Sequence, residues 1–225
     1  MALARTCIPA SRMESDSYDW WQRSESKKEW SRNHKAKGIF FGDSITHFWS
    51  NEDNRNNYGE GSWEEFFAGK DILNMGYGFD RIQNILWHLE AGEVDGQEPG
   101  VIVVNIGINN YSVTPHYPGD TPEETAEGIL FLTEKLHEKF PGSHIVIMGI
   151  FPRWDRMEKI RKTNHILAEK IPLFPYAEMV DIFHEFLDDS GNFDTQYFQK
   201  DRCHLCRKGY TVWYNAIQYI LEKYI

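Results

Sequence analysis

Five short apolar runs, each bounded by turn-forming residues, constrain this chain more than any other feature: GIFFGDS (38–44), DILNMGY (71–77), VIVVNIG (101–107), HIVIMGI (144–150) and EMVDIF (178–183). As a group they lack strict in/out alternation. Near-continuous apolarity is the mark of strands covered on both faces by helices. Helical spacing fills the intervals, at 81–93, 121–140, 156–171 and 208–224. Strand followed by helix, repeated, predicts a parallel sheet with right-handed crossovers and hence a three-layer α/β/α, doubly wound domain. The 121–140 segment carries its own start signal: Thr121 as cap, Pro122 at the first helical position and an acidic pair at the positive end of the helix dipole.

No 20–50-residue period and no low-complexity block recurs, so repeat and linker-bearing architectures are set aside. The expected division is an N-terminal tail and outer helix over 1–35, followed by one domain over 36–225. The 24 Lys plus Arg against 34 Asp plus Glu leave a net charge of -10, a field that repels nucleic acid and anionic membrane. Mean hydropathy is -0.57, and no stretch approaches the ~20 apolar residues of a membrane span. Arg5 and Pro9 interrupt the apolar region a secretory signal would need, and the compartment stays open. Three cysteines, Cys7, Cys203 and Cys206, cannot form a disulfide framework.

In such sheets ligands sit beyond the carboxyl ends of the strands, near the point where strand order reverses. The loops there begin GDSIT, GYGFD and GINN, and a fourth follows the last strand. Ser44 stands at the mouth of the first turn, where its hydroxyl can act as a nucleophile; by itself the position suits an N-cap serine equally well. A serine needs a base, and the base needs an acid to orient it. Asp201 and His204 supply both at a separation of three. His47 is a competing base with no acid evidently placed to orient it, and His88, His137, His144 and His165 read as surface or packing residues.

Asn109 can aim an amide at a developing oxyanion, and the Gly78–Phe79 backbone can offer N–H groups. GYGFD opens like a dinucleotide fingerprint, but Arg81 takes the place of the third glycine, so no nucleotide cofactor is expected. Cys203 and Cys206 lack a second Cys/His pair at finger-like spacing, so no metal is expected either. Phe48, Trp49, Tyr77, Phe79, Tyr111, Phe151 and Trp154 fall near the presumed mouth, and about half of them are expected in the core.

GDSIT, NMGYGFD, GINN and DRCHL, in this order, resemble the four blocks of the SGNH (GDSL-type) hydrolases. LNMGYGFDRIQNILWHLEAGE, VIVVNIGINN and IVIMGIFPR are similar to the branch that holds the catalytic α subunits of platelet-activating factor acetylhydrolase, from about residue 38 onward. The resemblance implies a flavodoxin-like five-stranded sheet and a cofactor-free serine esterase. It assigns Ser44 as nucleophile, His204 as base and Asp201 as its acid, with oxyanion donors from Ser44, Gly78, Phe79 and Asn109. Two departures matter: Phe79 stands where the family usually has glycine, and Cys206 is a poor cap for the last helix.

The expected substrate is a short-chain acyl ester, acetyl above all, of a carbohydrate or similar polar alcohol. Asp43, Trp49, Phe79, Tyr111 and Trp154 are expected around its pocket, with the Phe79 ring turned inward to restrict the acyl group. A lipid esterase or lysophospholipase is the second reading, and a non-catalytic binding module on the same fold the third. Partners are limited to a small-molecule or glycan ester, without nucleic acid or membrane insertion, and a homodimer stays open.

Overall fold

The computed structural model describes residues 3–50, 52 and 56–225. Five parallel strands, β1 (Gly38–Gly42), β2 (Ile72–Gly76), β3 (Val101–Asn105), β4 (His144–Met148) and β5 (Ala177–Val180), pair in the order β2-β1-β3-β4-β5. This is the predicted three-layer arrangement. Order reverses between β1 and β3, whose registers run from Gly38 opposite Val101 to Gly42 opposite Asn105. The loops leaving these two strands therefore diverge and open a crevice at the carboxyl end.

The uninterrupted apolarity of the strands has a direct cause. Ile39, Phe41, Ile102, Val104, Ile145 and Ile147 enter one core, beneath α1 (Trp20–Asn33), α4 (Ile82–Glu90), α5 (Pro122–Lys139) and α6 (Met157–Lys170). Phe40, Val101, Val103, Val146 and Met148 enter the other, with α3 (Ser62–Phe67) and α7 (Arg207–Tyr224). The four-residue α2 (Ser44–His47) follows β1 directly. Thr121 and Glu124 form a reciprocal capping box at the start of α5.

The outer helix is less peripheral than its charge suggests. Trp20 of α1 is 2% exposed and lies in the first core. Ahead of it, Thr6 Oγ1 donates to the Glu124 carbonyl at 2.9 Å and the Arg5 guanidinium pairs with Asp120 at 2.6 Å, tying the N-terminal tail to the start of α5. Among the described residues no helix is long and apolar enough to cross a membrane.

Candidate active site

Ser44 reaches the crevice because β1 ends in a glycine. A Cβ at Gly42 would fall 2.6 Å from the Asn105 carbonyl oxygen, and one at Gly76 would strike the backbone of His47, so α2 can abut β1 and β2 only with both positions bare. Asp43, not Ser44, caps α2: its Oδ1 accepts from the Ile45 N–H at 2.9 Å. Ser44 is thus the first helical residue, and its hydroxyl donates to His204 Nε2 at 2.8 Å.

His204 and its acid come from a tight loop before α7. Arg202 adopts a left-handed conformation (φ 57°), and Asp201 Oδ1 accepts from the N–H groups of Cys203 (2.9 Å) and His204 (3.0 Å). The same carboxylate's Oδ2 then accepts from His204 Nδ1 at 2.7 Å, which leaves Nε2 as the acceptor facing Ser44. Burial pushes the Asp201 carboxyl up, but the His204 bond and the two backbone bonds outweigh it and bring it down to about 2. Phe48 and Tyr58 flank the imidazole, with ring centres at 5.2 and 5.5 Å.

Asn109 lies across the crevice, in the 3-10 turn that follows β3, and donates through Nδ2 to the Asp80 carbonyl at 3.0 Å. A primary amide has two N–H groups, so a second remains. In the β2–α4 turn the two expected amides differ. The Gly78 N–H donates to His47 Nδ1 at 3.2 Å, whereas the N–H groups of Phe79 and Ser44 have no acceptor among the described residues. This removes Gly78 from the expected donor set. His47 is buried, and its Nδ1 is committed to Gly78, away from the role of competing base.

A cleft of about 400 Å³ joins Ser44, Asn109, Asp201 and His204, within the usual range for small-ligand sites. Phe48, Tyr58, Phe79, Ser112, Arg153 and Cys203 line it as well. Of these, Tyr58, Ser112 and Arg153 escape the sequence reading, since nothing in their local pattern marks them. Several pocket expectations are corrected. Trp49 is fully buried, stacked on Tyr210 at 4.9 Å, and belongs to the second core. Tyr111 is 4% exposed and hydrogen-bonds Thr163 at 2.6 Å within the first core. Asp43 is wholly buried as the α2 cap and is not among the residues lining the cleft. Tyr77 and Phe151 are core residues too.

Phe79 does line the cleft, but it is 51% exposed, so its ring sits on the rim rather than plugging the interior. Trp154 is 55% exposed and carries the Arg202 guanidinium 6.0 Å from its ring centre, beside rather than in the cleft wall. Cys203 faces the cleft, and burial raises its thiol to about 12. Cys206 caps α7 without a side-chain bond to the helix, its Sγ–H donating to the Gln196 carbonyl at 3.3 Å.

A serine hydroxyl, an oriented imidazole and converging N–H donors are the parts needed for acyl transfer. The sequence model of the GDSL-like lipase/acylhydrolase family matches residues 40–212. The chain belongs to this family. As a GDSL-type ester hydrolase it is 28% identical over 195 residues to the alpha1 subunit of platelet-activating factor acetylhydrolase IB from Bos taurus, covering 85% of this chain and 77% of that one. The fold is shared with a GDSL-like lipase from Bacteroides thetaiotaomicron (TM-score 0.64, 15% identity, 91% and 98% of the two chains). It is shared also with an acetyl xylan esterase, AlAXEase (TM-score 0.61, 19% identity, 83% and 99% of the two chains).

Proposed function

We propose that this GDSL-type hydrolase removes short acyl groups, acetyl above all, from a carbohydrate or similar polar alcohol, with Ser44 as nucleophile, His204 as base and Asp201 as its orienting acid. The observation that carries the reading is the continuous hydrogen-bonded chain from Ser44 Oγ through His204 to Asp201, at 2.8 and 2.7 Å. His204 Nε2 takes the hydroxyl proton as Oγ attacks the ester carbonyl carbon. Negative charge then develops on the carbonyl oxygen, where the N–H groups of Ser44 and Phe79 and the second N–H of Asn109 receive it. His204 returns the proton to the leaving alcohol, and water attacks the acyl-enzyme by the same route in reverse.

The polar alcohol is favoured by the half-exposed Phe79 on the cleft rim and Trp154 near it, flat faces suited to a sugar ring. An acetyl xylan esterase has this fold, and the named activity of the curated relatives is also the removal of an acetyl group, from platelet-activating factor. The latter keeps an acetylated lipid as the second reading.

A fluorophosphonate probe followed by peptide mapping tests the nucleophile, with label expected on Ser44 and none in Ser44→Ala. Acetylated xylose, 4-nitrophenyl acetate and an sn-2-acetyl phospholipid, compared by kcat/KM, test the alcohol. Preference for the phospholipid moves the assignment to lipid, and absence of both labelling and turnover leaves a binding module.

A further inference from the structure

Behind the cleft lies a buried ionic group that the reaction sequence does not use. His88, in the last turn of α4, is 0% exposed, with Nε2 2.8 Å from Asp80 Oδ2 and Nδ1 2.7 Å from Glu93 Oε1. A nitrogen facing a carboxylate on each side needs a hydrogen on each side, the requirement of a doubly protonated imidazolium. The ring is stacked against Tyr77 at 4.1 Å and Trp20 at 5.0 Å.

The carboxylates have further donors. Asp80 Oδ1 accepts from Trp20 Nε1 at 2.9 Å, while Glu93 accepts from Ser24 Oγ at 2.6 Å and from the Tyr77 hydroxyl at 2.7 Å. Burial drives the imidazole toward neutrality, but Glu93 and Asp80 overcome it and raise His88 to about 9. The Arg23 guanidinium lies 5.1 Å from the Tyr77 ring centre and adds a second positive charge beside this group.

We propose that His88 is a positioning residue for the oxyanion site, clamping Asp80 so that the amides on either side of it hold their aim. The inference rests on the esterase reading. Asp80 connects the two: its carboxylate is anchored by His88 and Trp20, and its carbonyl accepts from Asn109 Nδ2 at 3.0 Å. The residue before it, Phe79, carries an N–H without an acceptor among the described residues and stands in the left-handed region at φ 62°. A bulky residue there is strained and persists only where its surroundings over-determine it. The clamp is that restraint.

His88→Gln keeps polarity but cannot donate on both sides, while His88→Arg restores a planar cation able to reach two carboxylates. With an acetyl ester, H88Q is expected to lose about 10- to 100-fold in kcat with KM within threefold, the scale for misaligned reacting groups. H88R is expected to recover most of it. Hydrogen–deuterium exchange over residues 77–81 should quicken in H88Q and slow again in H88R. Trp20→Phe, which removes one donor to Asp80, covers the case in which H88Q does not fold, and should lower kcat about 3- to 10-fold at unchanged KM.

A folded H88Q with kcat within twofold of wild type, or an unfolded H88Q accompanied by an unchanged W20F, overturns the clamp. Wild-type protein without ester turnover overturns the esterase reading instead. Exchange over 77–81 then decides the clamp alone, and equal rates in wild type and variants overturn it.

Discussion

The Gly78 N–H donates to Nδ1 of His47 at 3.2 Å. One bond settles two matters of geometry: it commits a ring nitrogen of the histidine nearest Ser44 in sequence, and it withdraws one of two adjacent amides from the cleft. His47→Ala leaves the Ser44–His204–Asp201 chain untouched but strands the Gly78 N–H. An unsatisfied buried donor costs about 1–3 kcal/mol. The expected outcome is a less stable protein that retains at least a tenth of wild-type kcat, whereas His204→Ala loses roughly 10³-fold or more. Steady-state rates beside urea denaturation curves check this, and equal losses in the two variants would return His47 to the chemistry.

Why the sequence discloses some of this and conceals the rest follows from range. The strands are legible because their apolar runs are local, and Asp201 with His204 because a carboxylate and an imidazole three residues apart meet within one loop. Trp49 is not legible as core: five residues beyond Ser44, it looks like a cleft aromatic until α7 is packed against it. His88 is obscured in the same way, since helix periodicity assigns a face and not the carboxylates of Asp80 and Glu93 that meet there.

Asp43 gives the chain a stability that depends on pH. Burial raises its carboxyl to about 7, against the Ile45 backbone bond and the pull of His204, and its Oδ2 has no hydrogen-bond partner among the described residues. The raised value means that the folded state holds the proton longer than the unfolded state does. Below about pH 4 both forms are protonated and nothing is lost. Between there and pH 7 the unfolded carboxyl ionises first, so stability falls as pH rises and then levels off. At about 1.4 kcal/mol per pKa unit, the loss reaches several kcal/mol. Asp43→Asn keeps a good cap and cannot ionise. Its urea midpoint should therefore exceed that of wild type at pH 7.5 by more than at pH 4.5, and an equal difference at both would reject the buried acid.

Two tryptophans separate packing from recognition. Trp49 is fully buried among Phe40, Trp63, Tyr210 and Trp213, so Trp49→Ala is expected to cost about 3–5 kcal/mol of stability. Trp154 is half-exposed, and Trp154→Ala should leave the melting temperature unchanged while raising KM for an acetylated sugar several-fold. Calorimetry and kinetics on both variants check the pair. An unchanged KM in Trp154→Ala would remove that ring from the substrate's path.

Phe79→Gly tests what the ring on the rim does. The residue holds φ 62°, so glycine relieves strain of about 1–3 kcal/mol at an entropic cost of about 0.5–1 kcal/mol, and the variant should be no less stable than wild type. The backbone N–H proposed as an oxyanion donor survives the change. If the ring turned inward over the acyl group, its removal would admit methylenes worth about 0.8 kcal/mol each, roughly fourfold in kcat/KM for every one buried. At 51% exposure the ring lies on the rim instead, where the proposed sugar alcohol would stack. The C4-to-C2 ratio of kcat/KM for nitrophenyl esters should then shift by less than about threefold, while KM for an acetylated sugar rises as the stacking face is lost. A shift of about tenfold or more toward C4, with KM for the sugar unchanged, would put the ring back in the acyl pocket.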